Sequence, residues 1–177
     1  LLILILSLCS IYFLANASAI SKTMLYFSIA VCISSDVGGY VFGKIFKWKK
    51  LTKISPNKTI SGVFGSYFFS LICLYAFNEY YLEALRDPNQ NITFLFNINE
   101  ILLTIILSTV SQVGDLTISY FKRQDKVKDT GKILPGHGGI IDRIDGIMFV
   151  SILTYLLYLN FAQLGFSTWL SPWLFNF

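Results

Sequence analysis

Five apolar runs of about 20 residues each leave this chain few folds to choose from. They are Leu1–Ile20, Met24–Gly43, Ile60–Phe77, Ile101–Phe121 and Gly146–Leu170. An α-helix needs about 20 apolar residues to cross a bilayer. No water satisfies a backbone amide in hydrocarbon, so such runs fold as helices with internal hydrogen bonds. Composition points the same way. Of 177 residues, 54% are hydrophobic and 14% charged, where soluble domains carry about 25% charged residues. Mean hydropathy is +0.61. Too little polar surface remains to cover a soluble domain, and disordered, collagen-like and disulfide-scaffold chains are excluded. The expected fold class is all-α: a polytopic transmembrane helical bundle of about five spans, forming a single integral-membrane domain over residues 1–177.

The last run is long enough to tilt or to end in an interfacial piece carrying Trp169 and Trp173, and Ile92–Ile98 reads as a further interfacial segment. The chain opens on Leu1 inside an apolar run, which reads as a fragment whose natural N-terminus lies upstream. Cys9, Cys32 and Cys73 lie in apolar stretches without metal-ligand spacing and read as buried small hydrophobes.

Charge placement says more than the net charge of +4. Gly43–Lys58 carries Lys44, Lys47, Lys49, Lys50, Lys53 and Lys58 with no acid. Lys122–Asp145 carries Lys122, Arg123, Lys126, Lys128, Lys132 and Arg143 with four Asp, so two segments hold twelve of the fourteen cations. Between them, Asn78–Glu100 carries one Arg and four acids. The positive-inside rule puts both basic segments in the cytoplasm and the acidic one outside. Asn91-Ile92-Thr93, a glycosylation sequon, then falls outside.

Two acids lie within the apolar runs. Asp36 is eight residues before Lys44 and Asp115 seven before Lys122, which places both about 10–12 Å from the cytoplasmic ends of their helices. A charge at membrane depth costs about 2.5–3.5 kcal/mol on insertion scales. Two at matching depth suggest one polar cavity at the cytoplasmic face. The small residues around them (Ser34, Ser35, Gly38 and Gly39; Ser108, Ser111, Gly114) let helices approach closely.

The second basic segment, Ser119–Gly146, is the densest in chemistry. Gly136, Gly138 and Gly139 bracket His137, and glycines there expose backbone N–H groups suited to phosphate. Asp142, Arg143 and Asp145 follow directly. Paired carboxylates suit Mg²⁺, a hard cation that bridges carboxylates to substrate phosphates. Cations for phosphates, acids for a metal and a site at the membrane face favour a phosphate-bearing lipid or a nucleotide. No Walker-type phosphate loop is present. A single His and no Cys cluster argue against zinc.

These residues resemble the signature of the CDP-diacylglycerol synthases, also called phosphatidate cytidylyltransferases. That signature, S-x-x-K-R-x4-K-D-x-G-x2-L-P-x-H-G-G-x2-D-R-x-D, is filled by Ser119, Lys122, Arg123, Lys128, Asp129, Gly131, Leu134, Pro135, His137, Gly138, Gly139, Asp142, Arg143 and Asp145. Upstream, the family's S-x-G-D-L is similar to Ser111, Gly114, Asp115 and Leu116. Asp36–Lys44 and Ser55–Gly62 resemble two further motifs, so the likeness runs from about residue 30 to 150. Val37, Gly39, Asn57, Ser61 and Ile118 depart from the usual residues, but Asp36, Lys58, Asp115 and the signature segment do not.

The resemblance implies a C-terminal catalytic part of a longer, often dimeric, multi-pass protein of the bacterial inner membrane. It implies cytidylyl transfer from CTP to phosphatidate, giving CDP-diacylglycerol and pyrophosphate in phospholipid biosynthesis, without nucleic acid. Asp115 and Asp142 would hold Mg²⁺ with Asp145 or Asp36 helping, and a second cation is allowed. Lys122, Arg123, Lys128, Arg143 and Lys58 would bind the triphosphate or the lipid phosphate, beside Gly138 and Gly139. His137 would orient a phosphate, fix the glycine-rich turn or protonate the leaving pyrophosphate. Two rivals stay open at this point. One is a related CTP-dependent transferase acting on an isoprenoid or ether lipid. The other is an ion transporter using Asp36 and Asp115 as a relay, which leaves the signature segment without a task.

Overall fold

The computed structural model describes the backbone of residues 1–52, 55, 58–85, 98–125, 127 and 141–164, and their side chains except 81–85, 141–143 and 161–164. The described residues form five helices: α1 (Leu2–Ala17), α2 (Ala19–Phe46), α3 (Ile60–Leu85), α4 (Ile98–Gln124) and α5 (Ile141–Leu164). Ala19–Phe46, Ile60–Tyr80 and Ile98–Gln124 are long and apolar enough to cross a membrane. Leu2–Ala17 and Ile144–Asn160 are shorter apolar helices. The 16 residues of α1 reach about 24 Å at 1.5 Å per residue, short of a hydrocarbon core of about 30 Å.

Each expected run falls on a helix over most of its described residues, residues 165–170 of the last run lying outside them, and the ends differ for local reasons. The α2 helix begins at Ala19, not Met24, because Ser18 and Ser21 form a capping box. The Ser21 N–H donates to Ser18 Oγ (3.1 Å) and the Ser18 N–H to Ser21 Oγ (2.9 Å). The same extended residue, Ser18, turns α1 back into α2. At the other end Lys47 takes a left-handed conformation (φ 47°) and its N–H donates to the Gly43 carbonyl, closing the helix. The α5 helix begins at Ile141, so Asp142 and Arg143 belong to its first turn and not to a loop.

The tightest packing is between α2 and α3. A Cβ added to Gly62 would lie 2.9 Å from the Gly39 carbonyl oxygen, and one on Gly39 2.8 Å from Ser66 Oγ. Gly38 and Gly65 face each other's carbonyls still more closely. Association in lipid relies on such backbone approach, because an apolar contact gains little over lipid tails. Polar bonds join the helices as well. Ser66 Oγ donates to the Ser35 carbonyl (2.7 Å), and Ser35 and Ser108 hydroxyls pair at 3.0 Å. An apolar centre of Phe27, Val31, Leu74, Leu107 and Val150 is shared by α2, α3, α4 and α5. Large side chains such as Tyr26, Phe64, Phe68 and Ile106 stay exposed, as a lipid-facing surface requires.

The α3 helix is antiparallel to both neighbours. Its first turn faces Gly39 of α2, and Lys58, just before it, meets Asp115 of α4. The start of α5 packs there too, with Gly146 against Ser111 and Asp115. The late halves of α2 and α4 and the starts of α3 and α5 therefore meet at one end of the bundle.

Candidate active site

Three acids converge at that end. Asp36 comes from α2, Asp115 from α4 and Asp145 from the second turn of α5, and their carboxylates lie within electrostatic reach of one another. Lys58 answers them. Its Nζ donates to Asp115 Oδ2 at 3.0 Å and to the Gln112 carbonyl at 3.3 Å. The pair is partly buried, with 28% of the Lys58 side chain and 19% of the Asp115 side chain exposed.

The backbone of Lys58 is fixed by its neighbours. Its carbonyl accepts from the Leu51 N–H (2.8 Å) and its own N–H donates to the Ser55 carbonyl (3.1 Å). Thr59 forms an antiparallel bridge with Lys50. Thr59 Oγ1 also accepts from the Gly62 N–H (3.1 Å), capping the start of α3. These bonds hold the described residues around Lys58 against Lys49, Lys50 and Leu51 and aim Lys58 inward. It bounds a cavity of about 280 Å³ lined by Asp36, Tyr40, Ser55, Lys58, Gln112 and Asp115, among others.

Asp115 Oδ1 is buried and, among the described residues, receives no hydrogen bond. It lies where a Cβ on Gly146 would come within 3.1 Å, and the Asp115 and Asp145 carboxyl groups are within hydrogen-bonding reach of each other. Asp145 Oδ1 accepts from the N–H of its neighbour Gly146, at 3.0 Å. Among the described residues no donor stands between these two carboxyl groups, a costly arrangement unless a shared proton or a cation sits there. This donor set fits a hard divalent ion such as Mg²⁺. Among the described residues no three His, Cys, Asp or Glu side chains are spaced to hold a metal unaided. The side chain of Asp142, expected as a ligand, lies outside the described residues.

Of the other expected residues, Lys122 lines a separate cleft of about 670 Å³ with Phe121, Asp125 and Met148. Arg123 is exposed in the last turn of α4. Lys128, His137, Gly138 and Gly139 lie outside the described residues, as does the Arg143 side chain. Two contributors were not singled out from the sequence. Cys32, read as a core hydrophobe, is buried but its Sγ pairs with Ser111 Oγ at 3.0 Å, beside the site. Gly146 is the other: a Cβ there would meet Ser111 Oγ at 2.7 Å and Cys32 Sγ at 3.1 Å. Its signal was a glycine inside an apolar helix, which costs about 1 kcal/mol against Ala and so needs a packing reason.

Residues 1–161 match the model of the cytidylyltransferase family. The chain belongs to that family. Its relatives include phosphatidate cytidylyltransferase of Staphylococcus haemolyticus, 43% identical over 150 residues, which are 84% of this chain and 54% of the relative. The Staphylococcus epidermidis protein of that name is 42% identical over 135 residues, 76% of this chain and 48% of the relative. The Staphylococcus aureus protein is 46% identical over 127 residues, 71% and 45% of the two chains. The chain thus spans about half the length of these relatives. The match to the cytidylyltransferase family runs through α1, α2, α3 and α4 and into α5, so every described side chain of the cleft lies inside it.

Proposed function

We propose that this chain forms the catalytic part of a phosphatidate cytidylyltransferase, transferring a cytidylyl group from CTP to phosphatidate at the cytoplasmic face of a bacterial plasma membrane. The observation that carries the reading is the Lys58–Asp115 pair, which lines a cavity with Asp36 at one end of the bundle and lies beside Asp145. Family membership supports the nucleotide, and the names of the relatives support the lipid. Both basic segments border this end, which the positive-inside rule assigns to the cytosol, where CTP is found.

In the proposed reaction a phosphate oxygen of phosphatidate attacks the α-phosphorus of CTP. The bond from that phosphorus to the bridging oxygen of the β-phosphate breaks, and pyrophosphate leaves with the electron pair. A phosphomonoester has its second pKa near 6, so the nucleophile is largely ionised at neutral pH and needs no general base. What remains for the protein is to bring anions together and stabilise charge on the transferring group.

Asp115 and Asp145 would hold Mg²⁺, with Asp142 as a further proposed ligand, and the bound ion would supply charge neutralisation beside the triphosphate. Lys58 reaches the cavity from α3's leading turn and is proposed to hold a phosphate there. Lys122 and Arg123, two turns beyond Asp115 on α4, are proposed to hold the other anion at the membrane surface, together with Lys128 and Arg143. His137, Gly138 and Gly139 are proposed to cradle a phosphate. A pH–rate profile left unchanged by His137→Gln would remove His137 from any acid role.

The test is conversion of labelled CTP by the purified protein in detergent with phosphatidate and Mg²⁺. Lipid-soluble label that needs both additions, and is lost in Asp142→Asn, is the expected result. Binding of CTP without transfer to phosphatidate, but with transfer to an isoprenoid or ether lipid, would reassign the acceptor. Failure to bind CTP would overturn the nucleotide reading.

A further inference from the structure

Among the described residues, Asp115 is engaged on one oxygen only. Lys58 takes Oδ2 at 3.0 Å, while Oδ1 stays buried without a donor beside Asp145. Lys58 also takes the Gln112 carbonyl, one turn before Asp115 on the same helix. Its ammonium therefore sits against the rim of the carboxylate cluster and carries the cluster's one described ion pair. The backbone beneath it is tied against following a change, since its N–H, its carbonyl and Thr59 are all bonded. The four-carbon stem can, since it reaches through a cavity of about 280 Å³ and keeps 28% of its surface exposed.

We propose that Lys58 is an exchangeable counter-ion: it neutralises Asp115 while the divalent-cation position is empty, and yields that carboxylate to swing to a nucleotide phosphate when the position is filled. The idea rests on the function proposed above and adds a role that reading does not contain. The electrostatic reason is local. Three carboxylates meet at this end of the bundle, and leaving Asp115 wholly unpaired at this depth would be costly. Once a dication is shared by Asp115 and Asp145, an ammonium at 3.0 Å from the same carboxylate adds repulsion between like charges. In the proposed reaction the new source of negative charge would be the triphosphate, brought to the cavity that Lys58 lines. Nucleotide capture is thereby tied to cation loading through one side chain.

The consequence is a pair of effects of opposite sign. In Lys58→Met the competitor for Asp115 is gone, so Mn²⁺ binding without nucleotide, followed by electron paramagnetic resonance on the protein in detergent, tightens by about fivefold. With Mn²⁺ saturating, CTP binding to the same variant weakens by tenfold or more, as expected for loss of a charged phosphate contact. Lys58→Arg keeps the charge and leaves Mn²⁺ affinity near that of the native protein. The stabilisation by Mn²⁺, read as a thermal shift, is larger in Lys58→Met than in the native protein, which keeps the test sound if that variant is less stable when metal-free. A residue that merely props the site would lower both affinities together. Unchanged or weaker Mn²⁺ binding in Lys58→Met, with the native protein binding Mn²⁺ normally, overturns the exchange and leaves the cytidylyltransferase reading standing. Absence of Mn²⁺ binding in the native protein overturns both the exchange and the proposed metal site.

Discussion

Asp115 is asked to do two things with one carboxylate, and substitution separates them. Asp115→Asn keeps the shape but removes the charge that holds Lys58 and faces Asp145. Its expected effect is a loss of about 10²-fold or more in turnover, the scale for removing one charge-stabilising group from a transition state. Labelled-CTP conversion across a Mg²⁺ series would check it, and full activity with ordinary Mg²⁺ dependence would exclude Asp115 as a ligand. Gly146→Ala tests the packing that places this carboxylate. Ala is favoured over Gly in a helix by about 0.5–1 kcal/mol. Here the new methyl would lie 2.7 Å from Ser111 Oγ and 3.1 Å from both Asp115 Oδ1 and Cys32 Sγ. Overpacking of that kind costs about 1–3 kcal/mol, so the sign reverses. A lower thermal midpoint in detergent and reduced turnover are expected. Asp36 and Asp115 were legible in the sequence as costly charges at matched depth. The partner of Asp115 was not, because Lys58 lies 57 positions away and only the packing of α3 against α4 brings it there.

Helix ends decided where the sequence could be read and where it could not. Hydropathy locates apolar stretches, and each of the five centres on a helix among the described residues. It does not see polar helical turns. Asn78 and Glu79 continue α3 past the run that ended at Phe77, and Asp142 and Arg143 begin α5 before the run at Gly146. Hydropathy also cannot report helix crossings, which here follow from glycine. Gly65 illustrates this: a Cβ would strike the Gly38 carbonyl oxygen and Phe42 Cβ. Gly65→Ala is expected to lower stability by about 1–3 kcal/mol through forced separation of α2 and α3. Gly43→Ala, whose methyl would meet Thr59 Oγ1 at 3.1 Å and a backbone atom only at 3.9 Å, should be milder. Thermal unfolding of both variants in the same detergent checks the order. Thr59→Val removes the cap on the first turn of α3, worth about 0.5–2 kcal/mol. Because Thr59 follows Lys58, this variant should also raise the KM for CTP, whereas simple destabilisation away from the site would not.

At the scale of the molecule, one end of the bundle gathers Asp36, Lys58, Asp115 and Asp145 among the described residues. Antiparallel packing of α3 between α2 and α4 brings Asp36, Lys58 and Asp115 together, and the start of α5 adds Asp145. Because the chain reverses at Ser18, α1 starts at that end, where Leu1, Leu2, Ile3 and Leu4 border the cleft that holds Lys122. The two basic segments leave the bundle on this side as well, so charge and chain direction agree. That agreement makes a sharp prediction about sidedness. In a variant lacking Cys9, Cys32 and Cys73, a cysteine at Lys47 or Arg123 should react with an impermeant maleimide only in inside-out vesicles. A cysteine at Asn91, in the acidic stretch between α3 and α4, should react only in right-side-out vesicles. Labelling of positions 47 and 123 from opposite sides would break the antiparallel arrangement itself. Labelling of both from the outer side would keep the fold but put the site out of reach of cytosolic CTP, and the proposed reaction would fail with it.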